Sequence, residues 1–190
     1  MLDQLFQHIT LFSKLDEEEK NLLNEHCNIK EIKSKQFFLH QGELCKHHYF
    51  IIKGCCRSYF VNRKGNEQIV NFGIENWWIS DYDSFINGTT SRLNIQATED
   101  TKLLYIDKPS FDLLCNQSHN LERYFRVMTE KAHIAAQRRI GYLFDLSAEE
   151  GYELFRSHTP EFLQRVPQYM LASYLGMTPE FLSKIRGKKD

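Results

Sequence analysis

Residues 167–189 read PQYMLASYLGMTPEFLSKIRGKK, and this stretch decides how the C-terminal part of the chain folds. Apolar or small residues recur at helical spacing at Tyr169, Ala172 and Leu175, which indicates a helix. Gly176 can adopt the left-handed conformation that ends a helix. The pattern therefore predicts a short helix followed by a sharp turn.

A second helix is expected directly after this turn. Thr178 is a good N-cap and Pro179 suits the first helical position, while Phe181, Leu182 and Ile185 are its apolar positions. Two short helices joined by a glycine turn satisfy the steric needs of a helix-turn-helix, whose second helix reads DNA. The same pattern also describes an αα-hairpin that only packs, so both interpretations remain open on this stretch alone.

The charge of the last residues favours contact with phosphate. After Leu182 the chain reads SKIRGKKD, which is locally cationic, although the formal net charge of the whole chain is -1. Cationic side chains beside a reader helix can neutralise DNA phosphates. A solvated C-terminus would be equally rich in lysine, so the charge supports DNA binding without deciding it.

The overall composition is that of a soluble globular protein. The chain has 190 residues, 42% of them hydrophobic, and a mean hydropathy of -0.50. No apolar run approaches the roughly 20 residues that span a bilayer, and the first residues lack the basic region and cleavage site of a signal peptide. We expect a cytoplasmic protein without a membrane partner.

The cysteines suggest neither a disulfide framework nor a metal site. Their number is odd and no CxxC pair occurs, so we expect reduced thiols that mostly pack in the interior. Adjacent cysteines in a strand would point to opposite faces. The five residues are Cys27, Cys45, Cys55, Cys56 and Cys115.

The first hundred residues change from helical to strand periodicity near Asn28. Leu2–Phe12 is amphipathic and Asp16 begins a capping box with Glu19, so two short helices open the chain. Up to Asp107, short β-branched and aromatic segments alternate with turn signals, which predicts a closed antiparallel roll or small barrel. The segments are QFFLH, YFII, CRSYFV, EQIVNF, RLNIQA and KLLYID.

A long helix follows the predicted roll, beginning at Ser118. Its apolar residues alternate spacings of four and three, as in the seam of a coiled coil, and they are Leu121, Phe125, Met128, Ala132 and Ala135. Such a seam indicates a homodimer, although a helix packed on its own domain shows the same pattern. We therefore expect three parts: residues 1–117 as the roll, 118–146 as a dimerisation or connecting helix, and 147–190 as the helix-turn-helix domain.

This order of elements resembles the Crp/Fnr family of bacterial transcription regulators. The best local matches are Gly42-Glu43 with residues 49–54 in the roll, and residues 171–186 in the terminal hairpin. The resemblance implies an α+β protein in which a cyclic-nucleotide-binding-like, double-stranded β-helix roll precedes the helix-turn-helix. It also implies a non-enzymatic regulator that binds double-stranded DNA as a homodimer, with RNA polymerase as a further partner.

The resemblance assigns roles to residues of the terminal helix. Glu180 and Lys184 fall where side chains touch base edges, with Thr178 and Ser183 beside them. A glutamate can accept a hydrogen bond from cytosine N4, and a lysine can donate to guanine O6 or N7. The residues placed as phosphate contacts are Arg186, Lys188 and Lys189.

The same resemblance places a ligand site in the roll, with a departure from the family pattern. Members carry a glutamate for the ribose and, about ten residues later, an arginine for the cyclic phosphate. In the best register Asp81 replaces the glutamate, Ser91 takes the place of the arginine, and Arg92 is one residue late. Ser80 and Tyr82 flank Asp81. A cyclic nucleotide or another small effector therefore remains open, and so does a regulator without a ligand.

Other classes of function compete with this interpretation. Trp77, Trp78 and Tyr82 could line a cavity for an uncharged ligand, or they are simply core residues. A metal-dependent β-roll enzyme would need histidines and a carboxylate on adjacent strands. The available cluster is His40, Glu43, His47 and His48, which we expect in a loop after Gly42. A haem or iron-sulfur sensor and a binding module that does not bind DNA are further alternatives.

Overall fold

The structure is a computed structural model that describes residues 2–187. The helices are α1 (Asp3–Thr10), α2 (Glu17–His26), α3 (Tyr82–Asn87), α4 (Lys108–Gln117), α5 (His119–Asp145), α6 (Ala148–His158), α7 (Pro160–Arg165), α8 (Gln168–Tyr174) and α9 (Pro179–Gly187). The strands are β1 (Asn28–Ile32), β2 (Phe37–Leu39), β3 (His47–Lys53), β4 (Cys56–Val61), β5 (Glu67–Gly73), β6 (Trp78–Ile79), β7 (Asn94–Ala97) and β8 (Thr101–Asp107).

The strands form two four-stranded sheets. One has the order β1-β8-β3-β6 and the other β2-β7-β4-β5. The pairings of β8 with β1 and β3 are antiparallel, with Leu104 opposite Ile29 and Tyr105 opposite Tyr49. All six predicted strand segments coincide with strands, which confirms an antiparallel roll. The expectation of a closed barrel is wrong for the described residues, because the strands divide between two sheets.

Helices pack on the roll and share its core. Leu5 and Ile9 of α1, Leu23 of α2 and Leu114 of α4 are buried in one hydrophobic cluster with the strand residues. The strand side chains that are at most 1% exposed include Phe50, Ile51, Ile95, Leu103, Leu104 and Ile106. Burying this much apolar surface stabilises the roll by roughly 25 cal/mol for each Å² removed from water.

Capping signals in the sequence correspond to the observed helix starts. The side chain of Asp16 accepts a hydrogen bond from the Glu19 amide at 2.8 Å, and the Glu19 carboxylate accepts one from the Asp16 amide at 2.9 Å. Ser147 forms the same reciprocal arrangement with Glu150 before α6. Such caps satisfy amides that the helix itself cannot pair.

The first part of the predicted dimer seam on α5 is used within the chain. Leu121 and Phe125 are buried in the core of the roll, and Met128 packs against the same cluster. These three side chains are therefore not a free surface for a second copy. From Lys131 to Arg138 every residue of α5 is exposed, including Ala132 and Ala135.

The chain divides into two compact units. The first comprises the residues up to Ser58 together with Phe72–Ala132, and the second comprises Tyr59–Asn71 together with the residues from His133 onward. This division cuts α5 near its middle and assigns the end of β4, most of β5 and the turn between them to the second unit. The domain boundaries expected from the sequence lay instead at the two ends of the long helix, at residues 117/118 and 146/147.

The C-terminal unit has a small core of its own. Tyr152, Phe162, Leu171 and Leu182 are each at most 5% exposed. The predicted apolar face of α8 is partly wrong, because Tyr169 is 51% exposed while Met170, Leu171 and Ala172 are buried. Helical spacing alone did not show which of these neighbouring residues would be buried. The packing of the C-terminal unit buries the residues that follow Tyr169.

The described cysteines are free, and all but Cys115 are buried. Burial raises the pKa of the Cys45 thiol to about 11 and that of Cys27 to about 12. Thiols with such values stay protonated near neutral pH.

No helix within residues 2–187 is long and apolar enough to cross a membrane.

Candidate functional site

The terminal helices form the predicted hairpin with a left-handed glycine in its turn. Gly176 has φ +73°, and the Met177 amide donates to the Ala172 carbonyl at 3.0 Å. After the turn, the Thr178 hydroxyl accepts a hydrogen bond from the Phe181 amide at 3.2 Å and caps α9. The turn and the cap together fix where the second helix begins.

The second helix buries one face and exposes its polar residues. Leu182 and Ile185 are at most 2% exposed, while the residues assigned to base contact are all exposed. Phe181 is 39% exposed, so its predicted place among the packed residues is wrong. The exposed residues are Thr178, Glu180, Ser183 and Lys184, Arg186 is half-buried, and Lys188 and Lys189 lie outside the described residues.

The exposed face of α9 carries complementary hydrogen-bonding groups. Glu180 and Lys184 are four residues apart and therefore lie on the same side of the helix. The carboxylate can accept hydrogen bonds and the ammonium group can donate them, which suits the edges of a cytosine and a guanine in the major groove. Chemically, this face can distinguish base pairs if the helix enters that groove.

The predicted ligand site in the roll has its carboxylate already engaged. Asp81 is only 7% exposed and caps α3 through the Ser84 amide at 3.3 Å. Its second oxygen accepts a hydrogen bond from the Ser91 hydroxyl at 2.8 Å and from the Arg92 amide at 3.1 Å. The carboxylate thus binds the loop that follows α3.

Ser91 is fixed from several directions. It is 3% exposed, its amide donates to the Glu43 carbonyl at 2.7 Å, and its carbonyl accepts from the Gly42 amide at 2.8 Å. The fold therefore brings Gly42-Glu43 against Ser91. Because Ser91 bears no charge and the Arg92 side chain is exposed, this position offers an anion no buried cation.

The residues around Asp81 belong to an aromatic cluster. His48 stacks on Trp78 with ring centroids 4.6 Å apart, and its Nδ1 lies 2.9 Å from the Ser80 hydroxyl. Burial lowers the pKa of His48 to about 3. Tyr82 is 39% exposed, with its hydroxyl 3.3 Å from that of Thr129 on α5. Trp78 is thus a packed residue, whereas the neighbouring Trp77 is 40% exposed.

The histidines considered for a metal site are divided between β3, which holds two of them, and the segment after β2. His47 and His48 begin β3, so the expectation that they are loop residues is wrong. His40 is exposed and stacks on Phe37, with ring centroids 4.5 Å apart. In the part of the chain that the structure describes, no three histidine, cysteine, aspartate or glutamate side chains are grouped closely enough to hold a metal ion.

The polar contacts that the sequence did not predict include two networks centred on α5. The Tyr124 hydroxyl of α5 accepts from Trp78 Nε1 at 2.9 Å and lies 2.8 Å from His8 Nδ1. In the C-terminal unit, Arg139 of α5 donates hydrogen bonds to main-chain carbonyls of β5 and α8. The one signal in the sequence is that Arg139 falls seven residues after Ala132, on the apolar stripe of the helix.

The fold and the exposed hairpin define a class of protein, a β-roll joined by a long helix to a helix-turn-helix. The model of the cyclic nucleotide-binding domain matches residues 29–118. The cAMP-activated global transcriptional regulator CRP of Salmonella typhimurium is 25% identical over 114 residues. That alignment covers 56% of this chain and 54% of the relative, so the chain spans about half the length of that protein.

Two solved structures share this fold over most of the chain. FixK2 from Bradyrhizobium japonicum has a TM-score of 0.71 at 19% identity and covers 85% of this chain and 83% of its own. The c-di-GMP-responsive global regulator CLP of Xanthomonas campestris has a TM-score of 0.73 at 16% identity and covers 91% of each chain. The roll of this chain therefore matches the cyclic nucleotide-binding domain, and the chain is similar in fold to these two proteins.

Proposed function

We propose that this protein is a cytoplasmic transcription regulator that binds double-stranded DNA through α9. The observation that carries the proposal is the exposed pair Glu180 and Lys184 on a helix whose opposite face, Leu182 and Ile185, is buried. This is the arrangement in which the second helix of a helix-turn-helix presents its polar side chains to the major groove. The relatives named above, which are regulators and not enzymes, support it.

The proposal includes a homodimer, because helix-turn-helix proteins commonly bind two half-sites about one helical turn apart. The C-terminal half of α5 supports a partner there. Ile134, Ile140 and Phe144 are 45%, 55% and 88% exposed, although large apolar side chains are usually covered. A second copy aligned along this half of the helix would cover them. RNA polymerase is the further partner that the proposal includes.

The proposal for the roll is a small effector whose recognition does not use a phosphate-pairing arginine. The Asp81 carboxylate already accepts hydrogen bonds from the Ser91 hydroxyl and the Arg92 amide. A cyclic nucleotide bound in the family manner would have to break these hydrogen bonds. It would also lack the charge-assisted pair that an arginine supplies. Ser80, Tyr82 and Arg92 remain proposed contacts for an effector of different chemistry.

The test is a selection of tightly bound duplexes from a random pool by the full-length protein, followed by anisotropy titrations. We expect an inverted repeat. Lys184→Ala should lose discrimination at one base pair by roughly 5- to 150-fold, since a good base contact contributes about 1–3 kcal/mol. The matched control Lys14→Ala removes the same charge from an exposed loop and should leave the discrimination unchanged.

Two results would contradict the proposal. An equal loss of affinity on selected and random duplexes for Lys184→Ala would show that this lysine contacts phosphate only. Failure of the wild-type protein to retain any duplex at low salt would instead identify a binding module whose terminal helices merely pack.

A further inference from the structure

Strand β5 lies at the edge of its sheet, and a serine of α8 takes the place of the missing neighbouring strand. Within residues 2–187, the sheet order β2-β7-β4-β5 leaves the outer side of β5 without a strand partner. There the Ser173 hydroxyl accepts a hydrogen bond from the Ile69 amide at 3.0 Å and donates to the Glu67 carbonyl at 2.8 Å. One hydroxyl thus satisfies a donor and an acceptor of the exposed edge.

Arg139 makes a second connection to the same strand. Its guanidinium donates to the carbonyls of Ile69 at 3.1 Å and Tyr174 at 2.9 Å, and also to the carbonyl of Val70. The guanidinium carbon lies 4.0 Å from the centroid of the Tyr174 ring. All three acceptors are main-chain carbonyl oxygens, so Arg139 links α5 to β5 and to α8 by hydrogen bonds. The planar guanidinium holds its donors in a fixed arrangement, which defines the directions of these bonds.

These bonds hold the end of α8, where the hairpin turns. The last carbonyls of a helix have no partner within the helix. The Ser173 carbonyl accepts from the Gln68 side-chain amide at 2.5 Å, and the Tyr174 carbonyl accepts from Arg139. The turn at Gly176 follows two residues later and leads directly into α9. The direction in which α9 leaves the turn is therefore tied to β5.

We propose that Ser173 and Arg139 are positioning residues that set the orientation of the reader helix α9 relative to β5 and the C-terminal half of α5. In this proposal both side chains act through α9 and not by contacting DNA themselves. In a dimer this orientation determines the separation of the two reader helices, and hence the half-site spacing that the protein accepts. The proposal rests on the DNA-binding function proposed above. It adds the residues that hold α9 in the orientation needed for the two half-sites.

The test compares Ser173→Ala, which removes the hydroxyl without changing charge, with Ser173→Thr, which keeps the hydroxyl. The probes are duplexes carrying the two half-sites that the wild-type protein selects, at the selected spacing and with one or two base pairs inserted or removed. We expect the wild-type protein and Ser173→Thr to prefer the selected spacing at least 10-fold. In Ser173→Ala the preference should fall below about 3-fold, while affinity for a single half-site is unchanged.

A second readout reports the hydrogen bonds themselves. Hydrogen exchange of the Ile69 amide should be faster in Ser173→Ala than in the wild-type protein, because its acceptor is removed. Arg139→Lys retains the charge and loses the planar fork, so its preference for spacing should also weaken. Ser157→Ala, an exposed serine on α6, is the matched control and should change neither readout.

The inference would be overturned if Ser173→Ala kept the wild-type preference for spacing while its Ile69 amide exchanged faster. It would also be overturned if exchange at Ile69 were the same in both proteins, since the hydroxyl would then not hold the strand. A wild-type protein that selects no duplex is a different result, because it refutes the DNA-binding function itself.

Discussion

His48 is a buried histidine held in the neutral state by its surroundings. It lies against Trp78 and Phe85, with ring centroids 4.6 and 5.5 Å away, and its pKa is lowered to about 3 because burial disfavours the charged ring. In the unfolded chain the same ring titrates near its ordinary value of about 6.5. Between these two values the unfolded chain binds a proton that the folded protein does not bind.

The consequence is a loss of stability as the pH falls below about 6.5. At pH 5 His48 alone should destabilise the folded protein by about 2 kcal/mol relative to neutral pH. We expect the thermal midpoint to fall further between pH 7.5 and 5.0 in the wild-type protein than in His48→Gln. His8 and His47, whose pKa values burial also lowers, remain in both proteins and cancel in the comparison. Equal falls in the two midpoints would refute this assignment.

At the scale of elements, the start of α5 is fixed by a carboxylate distant in sequence. Ser118 accepts a hydrogen bond from the Leu121 amide at 3.0 Å and donates to Glu19 of α2 at 2.5 Å. Asn120 adds a second hydrogen bond to Glu19 at 2.9 Å. The same glutamate closes the capping box of its own helix, so one side chain joins the N-terminal ends of α2 and α5.

Replacing Ser118 with alanine should therefore cost more than the loss of an ordinary helix cap. An N-cap contributes about 1 kcal/mol, and a buried carboxylate that loses a donor adds about 1–3 kcal/mol. The matched control is Ser147→Ala, which removes an exposed cap of the same kind from α6. We expect a markedly lower thermal midpoint for Ser118→Ala than for Ser147→Ala, and similar midpoints would mean that the link to Glu19 contributes little.

At the scale of the whole molecule, a regulator responds to a ligand only if the ligand binds its two states with different affinity. Binding of an effector and of DNA are then coupled reciprocally. In this chain Ser91, which we propose stands where the family carries its arginine, donates its hydroxyl hydrogen bond to Asp81. Cyclic AMP would find no buried positive charge at that position.

We therefore expect no saturable heat when the full-length protein is titrated calorimetrically with cyclic AMP, and no change in its affinity for selected DNA. Arg92→Ala should behave in the same way, because the Arg92 side chain is exposed. Micromolar binding that disappears in Arg92→Ala would contradict this expectation. It would mean that the loop rearranges to bring Arg92 to the phosphate.

Much of the fold could be predicted because its signals are local. The capping box of Asp16 with Glu19 and the left-handed turn at Gly176 each depend on residues within a few positions of one another. Alternation within segments such as EQIVNF is equally local, and these segments are strands. The exposed face of α9 could be predicted for the same reason, because Glu180 and Lys184 lie on one helix.

The candidate site in the roll could be predicted only in part. Sequence spacing placed Ser91 at the position of the family's arginine. Its burial and its hydrogen bond to Asp81 could not be predicted, because both depend on the conformation of the loop that follows α3. The exposure of Phe181 also escaped prediction. Three apolar residues in one short helix do not reveal which two will face its neighbour.

Local patterns in the sequence specify the kinds of element, their order and the residues that α9 exposes. Only the tertiary structure decided which residues hold these elements together, as with Ser118 and Glu19, which are 99 positions apart, and Ile69 and Ser173, which are 104 apart. The difference arises because the two kinds of interaction act over different separations along the chain. Helices, turns and strands follow from interactions between near neighbours, whereas a hydrogen bond between distant residues forms only where the packed core brings them together.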